Sequence, residues 1–496
     1  MSDNPAIKLS EATLQALSPE VRIPTYRRDE LKQHTVHIGV GGFHRAHQAL
    51  YLDDLLAVPG SERWGECGVG VLPADDRMRD ALCGQDCLYT LVERSGDGQT
   101  ARVIGSLVDS LHAPSERETV IERMAAPDTR IVSLTITEGG YFLDEGTGNF
   151  LADHPAIQYD VQHPEAPATS LGLIAAALDR RRQRGLPAFT VMSCDNLQGN
   201  GDITRRVLLG FTGLGNPALQ QWIAENVAFP NSMVDRITPV TTAADRAFVA
   251  EHFKVQDAWP VVAEPFRQWV IEDHFCNGRP AWETVGAQMI QDVAPYEIMK
   301  MRLLNGSHLA MAYLGALAGF IYVHEILADP LFRSFIAAFM EEVTPVVPFI
   351  PGTSVTEYKQ TLMERFSNPT INDQVTRICS EGSAKHPKWL LPSIVDLNRK
   401  GGRTKLLSLV VAAWIFYLGH GRNERGEPLE ILDARAGELT KLAASADLSP
   451  VPVLQVRTIF GEQLPANAAF VKAVEKAMRS LAAEGTRSTI QAWMRD

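Results

Sequence analysis

The pattern of secondary structure changes once along the chain, and this change limits the possible folds more than any other feature. Before residue 292, short apolar segments alternate with helical stretches, as expected for a parallel sheet with crossover helices. The predicted strands cover residues 35–40, 68–72, 130–137 and 189–193. After residue 292, helical periodicity dominates, over residues 331–342, 356–365, 403–417 and 468–483. We predict an α/β N-terminal domain, residues 1–292, and a predominantly α-helical C-terminal domain, residues 293–496.

The composition excludes several classes of partner. A net charge of −12 disfavours binding to nucleic acid or to anionic membranes, because both need a basic surface. The six cysteines are scattered, and the CxxxC at Cys83 and Cys87 lacks the paired ligands of a zinc site. The longest apolar runs, residues 309–323 and 406–418, are shorter than the ~20 residues that span a bilayer. Since the N-terminal residues also lack a signal-peptide pattern, we expect a cytoplasmic protein.

A glycine-rich turn follows the first predicted strand, in the sequence IGVGGFHRAH. A strand that leads into glycines and then a helix can hold a pyrophosphate against backbone N–H groups. The candidate cofactor contacts are therefore Gly39, Gly41, Gly42 and Phe43. His44 stands at the third glycine position of the GxGxxG pattern, so a tight turn in any α/β protein remains an alternative interpretation.

Acidic residues follow the second predicted strand, where a Rossmann-type domain binds the adenosine ribose. Asp75, with Asp76 beside it, can accept hydrogen bonds from the ribose hydroxyls and would repel a 2′-phosphate, which favours NAD over NADP. Arg77 and Arg79 argue in the other direction, since either can contact a 2′-phosphate. We predict a Rossmann-type domain that binds NAD, with a solvated charged loop as the alternative.

Four polar side chains lie on one side of a helix predicted for the segment PYEIMKMRLLNGSH. At ~100° per residue, with Lys300 at zero, Glu297, His308 and Asn305 fall near ~60°, ~80° and ~140°. Taken alone, Lys300 can equally be a lysine that snorkels from a helix end, and His308 can be a histidine whose hydrogen bonds are satisfied in the core. Together they suggest a metal-free alcohol dehydrogenase site, in which a lysine takes the hydroxyl proton and amide N–H groups stabilise the oxygen.

Other polar residues follow predicted strands of the first half. Glu138 follows LTIT, Asn196 follows FTVMSC and Asp195, and Asp235 lies in a segment predicted to be a loop. The carboxyl ends of parallel strands form the ligand-binding edge of a doubly wound sheet, although each residue alone can be a cap or turn residue. The sequence has neither the HExxH motif of a zinc site nor the GxSxG elbow of a hydrolase.

The histidines of FHRAH are a separate case. His44 and His47 can share a helix face, and we interpret them as capping or phosphate-side residues rather than as metal ligands.

Taken in order, these motifs resemble those of the mannitol dehydrogenase family of long-chain polyol dehydrogenases. The resemblance covers essentially the whole chain, through the segments GVGGFHRAH, LTITEGGY, VMSCDN, FPNSMVDRITP, DAWPVVAEPF, KMRLLNGSH, YKQTLMERFSNP and SEGSAKHPKW. It implies an NAD-dependent, zinc-independent polyol 2-dehydrogenase that interconverts D-mannitol and D-fructose. It also implies a monomer.

The resemblance further implies roles for the residues of the predicted helix. Lys300 is the catalytic acid/base, and Asn196 and Asn305 form the oxyanion hole. His308 binds substrate near the reacting carbon, and Glu297 gates the proton path.

Substrate and cofactor contacts follow in the same way. The resemblance places Asp235, Arg377 and Lys385 at the polyol hydroxyls, so that the helical domain supplies part of the substrate pocket. It places Glu138 near the nicotinamide and Asp75 at the adenosine ribose. Related enzymes can carry a second acid where this chain has Ala74, which implies weaker discrimination against NADP unless Asp76 compensates.

Several functions remain open. Arg377 and Lys385 can equally bind a carboxylate, which keeps reductases of sugar acids such as fructuronate or tagaturonate as alternatives. Arabinitol and sorbitol dehydrogenases are further alternatives within the family. A non-catalytic sensor of sugar and nucleotide on the same fold is the alternative from a different class.

Overall fold

The computed structural model describes residues 5–61, 63–96, 98–144, 147–444 and 448–495. The chain divides into two compact units, Met1–Ala294 and Pro295–Asp496. Among the described residues, every strand belongs to the first unit, and the second unit is built from helices. The predicted fold class, an α/β Rossmann-type domain followed by a predominantly α-helical domain, is confirmed. The assignment of cofactor binding to residues 1–292 and of catalysis to residues 293–496 remains a prediction.

The first unit contains short and long strands connected by helices. Its strands are β1 (Ile7–Lys8), β2 (Val21–Arg22), β3 (Lys32–Ile38), β4 (Trp64–Gly70), β5 (Tyr89–Ser95), β6 (Gly98–Ile104), β7 (Leu107–His112), β8 (Ile131–Leu134), β9 (Thr190–Ser193), β10 (Ser232–Asp235), β11 (Val255–Gln256), β12 (Val261–Ala263), β13 (Gln268–Glu272) and β14 (Gln288–Ile290). Its helices are α1 (Gly42–Ala46), α2 (Gln48–Leu56), α3 (Asp76–Cys83), α4 (Ala113–Ala125), α5 (Pro155–Gln162), α6 (Ser170–Gln183), α7 (Asn200–Gly215), α8 (Pro217–Asn226) and α9 (Ala243–His252).

The central sheet of this unit has five parallel strands in the order β7-β4-β3-β8-β9. Its strands are buried on both faces, because α4, α6 and α7 cover one face and α2 with β10 and β13 covers the other. The chain enters the sheet at β3, adds β4 and β7 on one side, and then crosses to add β8 and β9 on the other. The carboxyl ends of β3 and β8 therefore flank the topological switch point, where doubly wound sheets bind ligands.

Smaller sheets complete the first unit, in the orders β12-β5-β6-β2, β10-β13-β14 and β1-β11. One of them corrects the prediction of a loop around Asp235. The segment Ser232–Asp235 is strand β10, which pairs antiparallel with β13, with Val234 opposite Trp269. The partner strand lies more than 30 residues further along the chain, so the local Pro- and Asn-containing sequence gave no sign of the pairing.

The second unit begins with a long helix that changes its hydrogen bonding part-way. Helix α10 (Ala294–Met299) runs into a π-helical segment, Lys300–Asn305, and continues as α11 (Gly306–Ala318). The remaining helices are α12 (Val323–Ala328), α13 (Pro330–Val343), α14 (Val355–Phe366), α15 (Val375–Cys379), α16 (Gly382–Trp389), α17 (Leu391–Arg399), α18 (Lys405–His420), α19 (Ala436–Ala443), α20 (Val451–Leu454), α21 (Arg457–Phe460), α22 (Gln463–Ala466) and α23 (Ala468–Arg495).

The core of the second unit forms around α11 and α18. Helix α18 contains the apolar run 406–418, and α11 contains the first ten residues of the run 309–323, which ends beyond the helix; almost all residues of both helices are buried. The long final helix α23 packs on α18 and bends at Gly485, which has a φ of +77°. In the part of the chain that the structure describes, no helix is both long and apolar enough to cross a membrane.

Candidate active site

The glycine turn lies at the switch point of the central sheet. Gly39 has a φ of +100°, and a Cβ atom there would lie 2.0 Å from the backbone oxygen of Thr135, so no other residue fits. Its N–H donates to the carbonyl of Val69 at 2.8 Å, and its own carbonyl accepts from the Thr135 hydroxyl at 2.7 Å. The turn is therefore fixed between the end of β4 and the end of β8.

The space beside the turn fits a pyrophosphate. A Cβ atom added to Gly41 would meet no atom of the described residues within 4 Å, so the backbone there is open to a ligand. Helix α1 begins at the next residue, Gly42, and the first N–H groups of a helix have no partner within the helix. The Gly41 N–H donates to the Gly39 carbonyl at 2.8 Å, so the open backbone at Gly41 and the N–H groups at the start of α1 are the features that suit a dinucleotide cofactor. Phe43, which follows, stacks on His47 with ring centroids 5.0 Å apart.

Asp75 follows β4 in the position expected for a ribose-binding acid. Its Oδ2 accepts from the N–H groups of Val71 and Leu72, at 2.9 and 2.8 Å, which holds the carboxylate in place. Gly70 allows this approach, because a Cβ atom there would lie 2.6 Å from the Cβ of Asp75. Sequence analysis missed Gly70, which is visible only as the second glycine of GVGVL. One carboxylate oxygen is thus used to orient the side chain, and the other can accept from a ribose.

The basic residues after Asp75 differ in their contacts. The Arg79 guanidinium lies 2.9 Å from Glu116 and 2.7 Å from Asp80, so its charge is already paired. Arg77 is exposed. The pairing of Arg79 weakens the argument that this cluster binds a 2′-phosphate.

Asp195 connects the ends of the neighbouring strands β8 and β9. Its carboxylate accepts from the backbone N–H groups of Ile136 and Thr137, at 3.0 and 2.9 Å, and from the Tyr141 hydroxyl at 2.6 Å. Burial raises the pKa of this carboxyl group above its ordinary value. Asp195 therefore shapes the loop that carries Glu138 after β8, a structural role that the sequence did not reveal.

The predicted site residues of the first unit follow one edge of the central sheet. Glu138 and Asn196 are exposed and lie in the loops that follow β8 and β9, which end at Leu134 and Ser193. Asp235 ends β10, whose Ser232 hydroxyl donates to the Ser193 carbonyl of β9 at 2.7 Å. Glu138 and Asn196, with the glycine turn after β3 and Asp75 after β4, lie beyond the carboxyl ends of strands as the sequence predicted, whereas Asp235 ends a strand where a loop was predicted.

Two histidines of the glycine segment do not have the predicted contacts. His44 and His47 are fully buried, and neither side chain caps a helix. His44 Nε2 lies 2.8 Å from a Glu66 carboxylate oxygen, and His47 Nε2 lies 2.9 Å from the Gln268 carbonyl. The interpretation of these residues as capping or phosphate-side groups is therefore wrong, because both point into the core behind the turn.

The candidate residues of the second unit lie on the distorted helix. Glu297, Lys300, Asn305 and His308 are all buried, with between 3% and 8% of their surfaces exposed. The sequence predicted a regular α-helix, but the segment Lys300–Asn305 is π-helical. An i→i+5 turn brings the residue five positions along back to the same side, so Asn305 lies closer to the side of Lys300 than the predicted ~140°.

The side chains of this helix are held by neighbours in the same unit. The Asn305 amide donates to the Met301 sulfur, with 3.1 Å between Nδ2 and Sδ. The His308 ring lies against Phe366, with ring centroids 4.9 Å apart. Because one amide N–H of Asn305 is used for orientation, the other can donate to a ligand.

Lys385 and Arg377 lie next to each other in the second unit. The Lys385 ammonium donates to the carbonyls of Arg377 and Ile378 and to the Ser380 hydroxyl, at 3.3 to 3.4 Å. Burial, together with the charge of Arg377, lowers the pKa of Lys385 to about 8. Helix α16, which carries Lys385, packs against the π-helical turn of Lys300. The structure thus brings Lys385 and Arg377 together on neighbouring helices.

Comparison with known protein families now decides the identity of the fold. Residues 33–284 match the model of the mannitol dehydrogenase Rossmann domain, and residues 292–482 match that of the mannitol dehydrogenase C-terminal domain. This chain belongs to the mannitol dehydrogenase family. The resemblance seen in the sequence motifs is confirmed.

Similar members of the family match over nearly the full length. A mannitol 2-dehydrogenase of Aspergillus fumigatus is 50% identical over 477 residues, which cover 95% of each chain. One of Aspergillus oryzae is 48% identical over 495 residues, with 98% of each chain covered.

Solved structures of the family have the same fold. The structure of Pseudomonas fluorescens mannitol 2-dehydrogenase in a ternary complex with NAD and D-mannitol matches with a TM-score of 0.90 and 48% identity, covering 99% of this chain and 100% of that one. A substrate-free D-sorbitol dehydrogenase matches with a TM-score of 0.90 and 34% identity, covering 97% and 100%.

Proposed function

We propose that this chain interconverts D-mannitol and D-fructose, with Lys300 as the group that takes and returns the hydroxyl proton. The broader prediction, an NAD-dependent polyol dehydrogenase, is confirmed by the family match and by the relatives. The observation that carries the narrower proposal is the position of Lys300, which is 6% exposed on a π-helical turn that also carries Asn305. Such turns inside α-helices occur frequently at functional sites.

The proposed mechanism assigns one task to each side chain. Bound NAD supplies the acceptor for the hydride that leaves the alcohol carbon. The Lys300 amine takes the hydroxyl proton, and Glu297, three residues earlier on the helix, passes it towards solvent. The amides of Asn196 and Asn305 donate to the oxygen as negative charge develops on it, and the Met301 contact orients the Asn305 amide beforehand. His308 binds the substrate near the reacting carbon.

The cofactor and the remaining hydroxyls are bound by other residues in this proposal. Gly39, Gly41, Gly42 and Phe43 form the pyrophosphate turn, Asp75 binds the adenosine ribose, and Glu138 lies near the nicotinamide. Asp235, Arg377 and Lys385 contact the polyol hydroxyls. Each assignment rests on the matching motif and on the location of the residue within its own unit.

The surroundings of Arg377 support a neutral polyol over a sugar acid. Two guanidinium nitrogens of Arg377 each lie 2.6 Å from one oxygen of Asp373, a bidentate pair that already neutralises the charge. The Lys385 ammonium already donates to two backbone carbonyls and to the Ser380 hydroxyl, so it too has partners within the protein. A carboxylate substrate would have to compete with Asp373, whereas hydroxyl groups need only the remaining N–H donors.

A substrate panel tests the proposal on the purified full-length chain. The panel contains D-mannitol, D-arabinitol and D-sorbitol with NAD and NADP, and D-fructose, fructuronate and tagaturonate with NADH. We expect the highest kcat/KM with D-mannitol and D-fructose, with NAD preferred and with EDTA without effect. A higher kcat/KM for a ketouronate would replace the proposal with the sugar-acid alternative. Binding of NADH without turnover of any compound would favour the sensor.

A variant tests the role of Lys300. Removing a general base costs about 10²–10⁴-fold in rate, so Lys300→Ala should lose at least that factor in kcat with D-mannitol. It should still bind NADH with a Kd near that of the wild type. Lys472→Ala, which removes an exposed lysine of α23, is the control and should retain wild-type turnover. Full activity in Lys300→Ala would contradict the mechanism.

A further inference from the structure

Three buried titratable side chains lie directly behind the glycine turn. His37 of β3, His44 of α1 and Glu66 of β4 are each at most 2% exposed. The two imidazole rings stack face to face, with centroids 3.6 Å apart and an angle of 8° between their planes. His44 Nε2 lies 2.8 Å from a carboxylate oxygen of Glu66. The proposed mechanism uses none of these groups.

This cluster has the composition of a metal site but not its geometry. One potential ligand atom from each residue lies within 4.8 Å of the others. A metal ion binds an imidazole nitrogen in the plane of the ring, and two rings stacked in parallel cannot both have the same ion in their planes. In addition, both nitrogens of His37 already have partners, the hydroxyls of Ser133 and Thr135, each at 2.8 Å. The cluster is therefore held by hydrogen bonds rather than by an ion.

The hydrogen bonds fix the tautomer of His37. The single hydroxyl proton of Thr135 is donated to the carbonyl of Gly39, so the Thr135 oxygen must accept from His37 Nε2–H. Burial lowers the pKa of His37 well below its ordinary value, which keeps the ring neutral and leaves Nδ1 to accept from Ser133. A continuous chain of donors therefore runs from Ser133 through His37 and Thr135 to the Gly39 carbonyl.

The second histidine explains the departure from the GxGxxG pattern. The third glycine of that pattern allows close packing of the helix on the strand. In this chain the position is His44, and its flat ring packs against the His37 ring of β3. Burial lowers the pKa of His44 to about 3 and raises that of Glu66 to about 7, so the pair shares a hydrogen bond without a buried imidazolium. Helix α1 is thereby attached to the same network as the turn.

We propose that His37, Thr135, His44 and Glu66 are positioning residues that hold the turn at Gly39 and the start of α1 in the conformation that binds the cofactor pyrophosphate. His37 acts on the turn through Thr135, and His44 acts on the helix through Glu66 and the ring stack. The proposal rests on the assignment of the cofactor to the glycine turn. It does not depend on which polyol is oxidised.

Direct binding of NADH and of ADP-ribose to the full chain tests the proposal, by fluorescence titration and calorimetry. Thr135→Val replaces the hydroxyl by a methyl group and leaves the Gly39 carbonyl without this donor. His37→Phe keeps an aromatic ring against His44 but removes both nitrogens. We expect each variant to raise both Kd values about ten-fold, the effect of one lost hydrogen bond that shapes a binding site. Thr135→Ser, which restores the hydroxyl, should return to the wild-type Kd.

A matched histidine separates this role from a purely structural one. His34 lies on the same strand, three residues before His37, and is 7% exposed. Its Nδ1 lies 2.6 Å from the Asp128 carbonyl. His34→Phe should lower the melting temperature without changing the Kd of NADH. In His37→Phe the KM for NAD should rise about ten-fold, while kcat with saturating NAD changes less than about two-fold.

Three results would overturn the proposal. One is a wild-type Kd for NADH in a folded Thr135→Val protein, since this change removes the hydroxyl that links His37 to the Gly39 carbonyl. Another is equal Kd changes in His34→Phe and His37→Phe. The third is a stoichiometric metal in the purified wild type that is lost in His37→Phe. If His37→Phe does not fold, the Kd values of Thr135→Val and Thr135→Ser for NADH are sufficient to test the proposal. Failure of mannitol turnover with NADH binding intact would contradict the proposed substrate and leave this inference standing.

Discussion

The glycine turn after β3 and the Lys300 helix both place polar groups in apolar surroundings, but by different means. In the turn, the N–H of Gly39 donates to Val69, and its carbonyl accepts both from the Thr135 hydroxyl and from the N–H of Gly41 within the turn, so most of these contacts come from neighbouring strands. In the helix, a local change to π-helical hydrogen bonding over Lys300–Asn305 decides where the side chains lie. The turn therefore depends on tertiary contacts for its shape, whereas the Lys300 helix depends on a distortion of its own backbone.

This difference predicts which property a substitution in each region should change. Changes around the turn should alter cofactor binding through the backbone, and they divide into those that break the turn and those that fill the space beside it. Changes around the Lys300 helix should alter the orientation of a side chain while leaving the fold and the cofactor affinity intact.

The largest effect is expected for Gly39→Ala. A Cβ atom there would lie 2.0 Å from the Thr135 backbone oxygen, at a φ of +100° that strains any residue except glycine. The unfolding free energy should fall by more than about 2 kcal/mol, and NADH binding should be lost. Chemical denaturation and fluorescence titration measure the two effects.

Gly41→Ala is the variant to compare with Gly39→Ala. Its φ of −104° suits any residue, and an added Cβ would meet no atom of the described residues within 4 Å. The protein should keep its stability to within about 0.5 kcal/mol, yet its Kd for NADH should rise at least ten-fold because the methyl group occupies the space proposed for the pyrophosphate. Wild-type affinity for NADH would show that the pyrophosphate does not bind beside Gly41.

A smaller effect is expected for Met301→Leu on the Lys300 helix. The substitution keeps the apolar volume but removes the sulfur that accepts the Asn305 amide at 3.1 Å. Because a thioether is a weak acceptor, we expect kcat with D-mannitol to fall only about three- to ten-fold, with the Kd of NADH unchanged. Steady-state kinetics and titration measure both values.

Met311→Leu provides the control for this substitution. Met311 is fully buried in α11 of the same long helix and lies ten residues further along the chain. Its replacement should leave kcat within about two-fold of the wild type. Equal losses in both variants would mean that Met301 acts through general packing and that the contact with Asn305 has no catalytic role.

The sequence was sufficient for those parts of the molecule that are specified locally. The alternation of strands and helices predicted the fold class, and the spacing of Gly39, Gly41 and Gly42 located the turn. The carboxyl ends of strands likewise predicted the positions of Glu138 and Asn196, since each follows an apolar run directly. These features depend on a few consecutive residues, so one sequence contains the required information.

Other features depend on partners that are distant in the sequence. Strand β10 forms because β13 pairs with it, and the stack of His44 on His37 requires α1 to lie on β3. Asp195 is next to Asn196 in the sequence, but its carboxylate accepts hydrogen bonds from backbone N–H groups of the loop after β8. The π-helical turn is hidden for a different reason, because a helix pattern of apolar and polar residues does not reveal where its hydrogen bonds change from i→i+4 to i→i+5.

The part-buried amine of Lys385 should make the stability of the protein depend on pH. Its pKa is about 8 in the folded protein, against an ordinary value of 10.5, with burial as the main cause. Between these values the folded protein has lost the proton and the unfolded chain still binds it, so the unfolding free energy should rise with pH. Relative to Lys385→Met, the stability of the wild type should therefore increase from pH 8 to pH 10 by up to about 2–3 kcal/mol, because each pKa unit corresponds to about 1.4 kcal/mol.

Urea denaturation of both proteins at each pH measures the difference, and subtracting the variant removes the contribution of other groups that titrate in this range. A difference that is flat across this range would show that the Lys385 amine keeps an ordinary pKa, and that neither its burial nor the charge of Arg377 disfavours its protonated form.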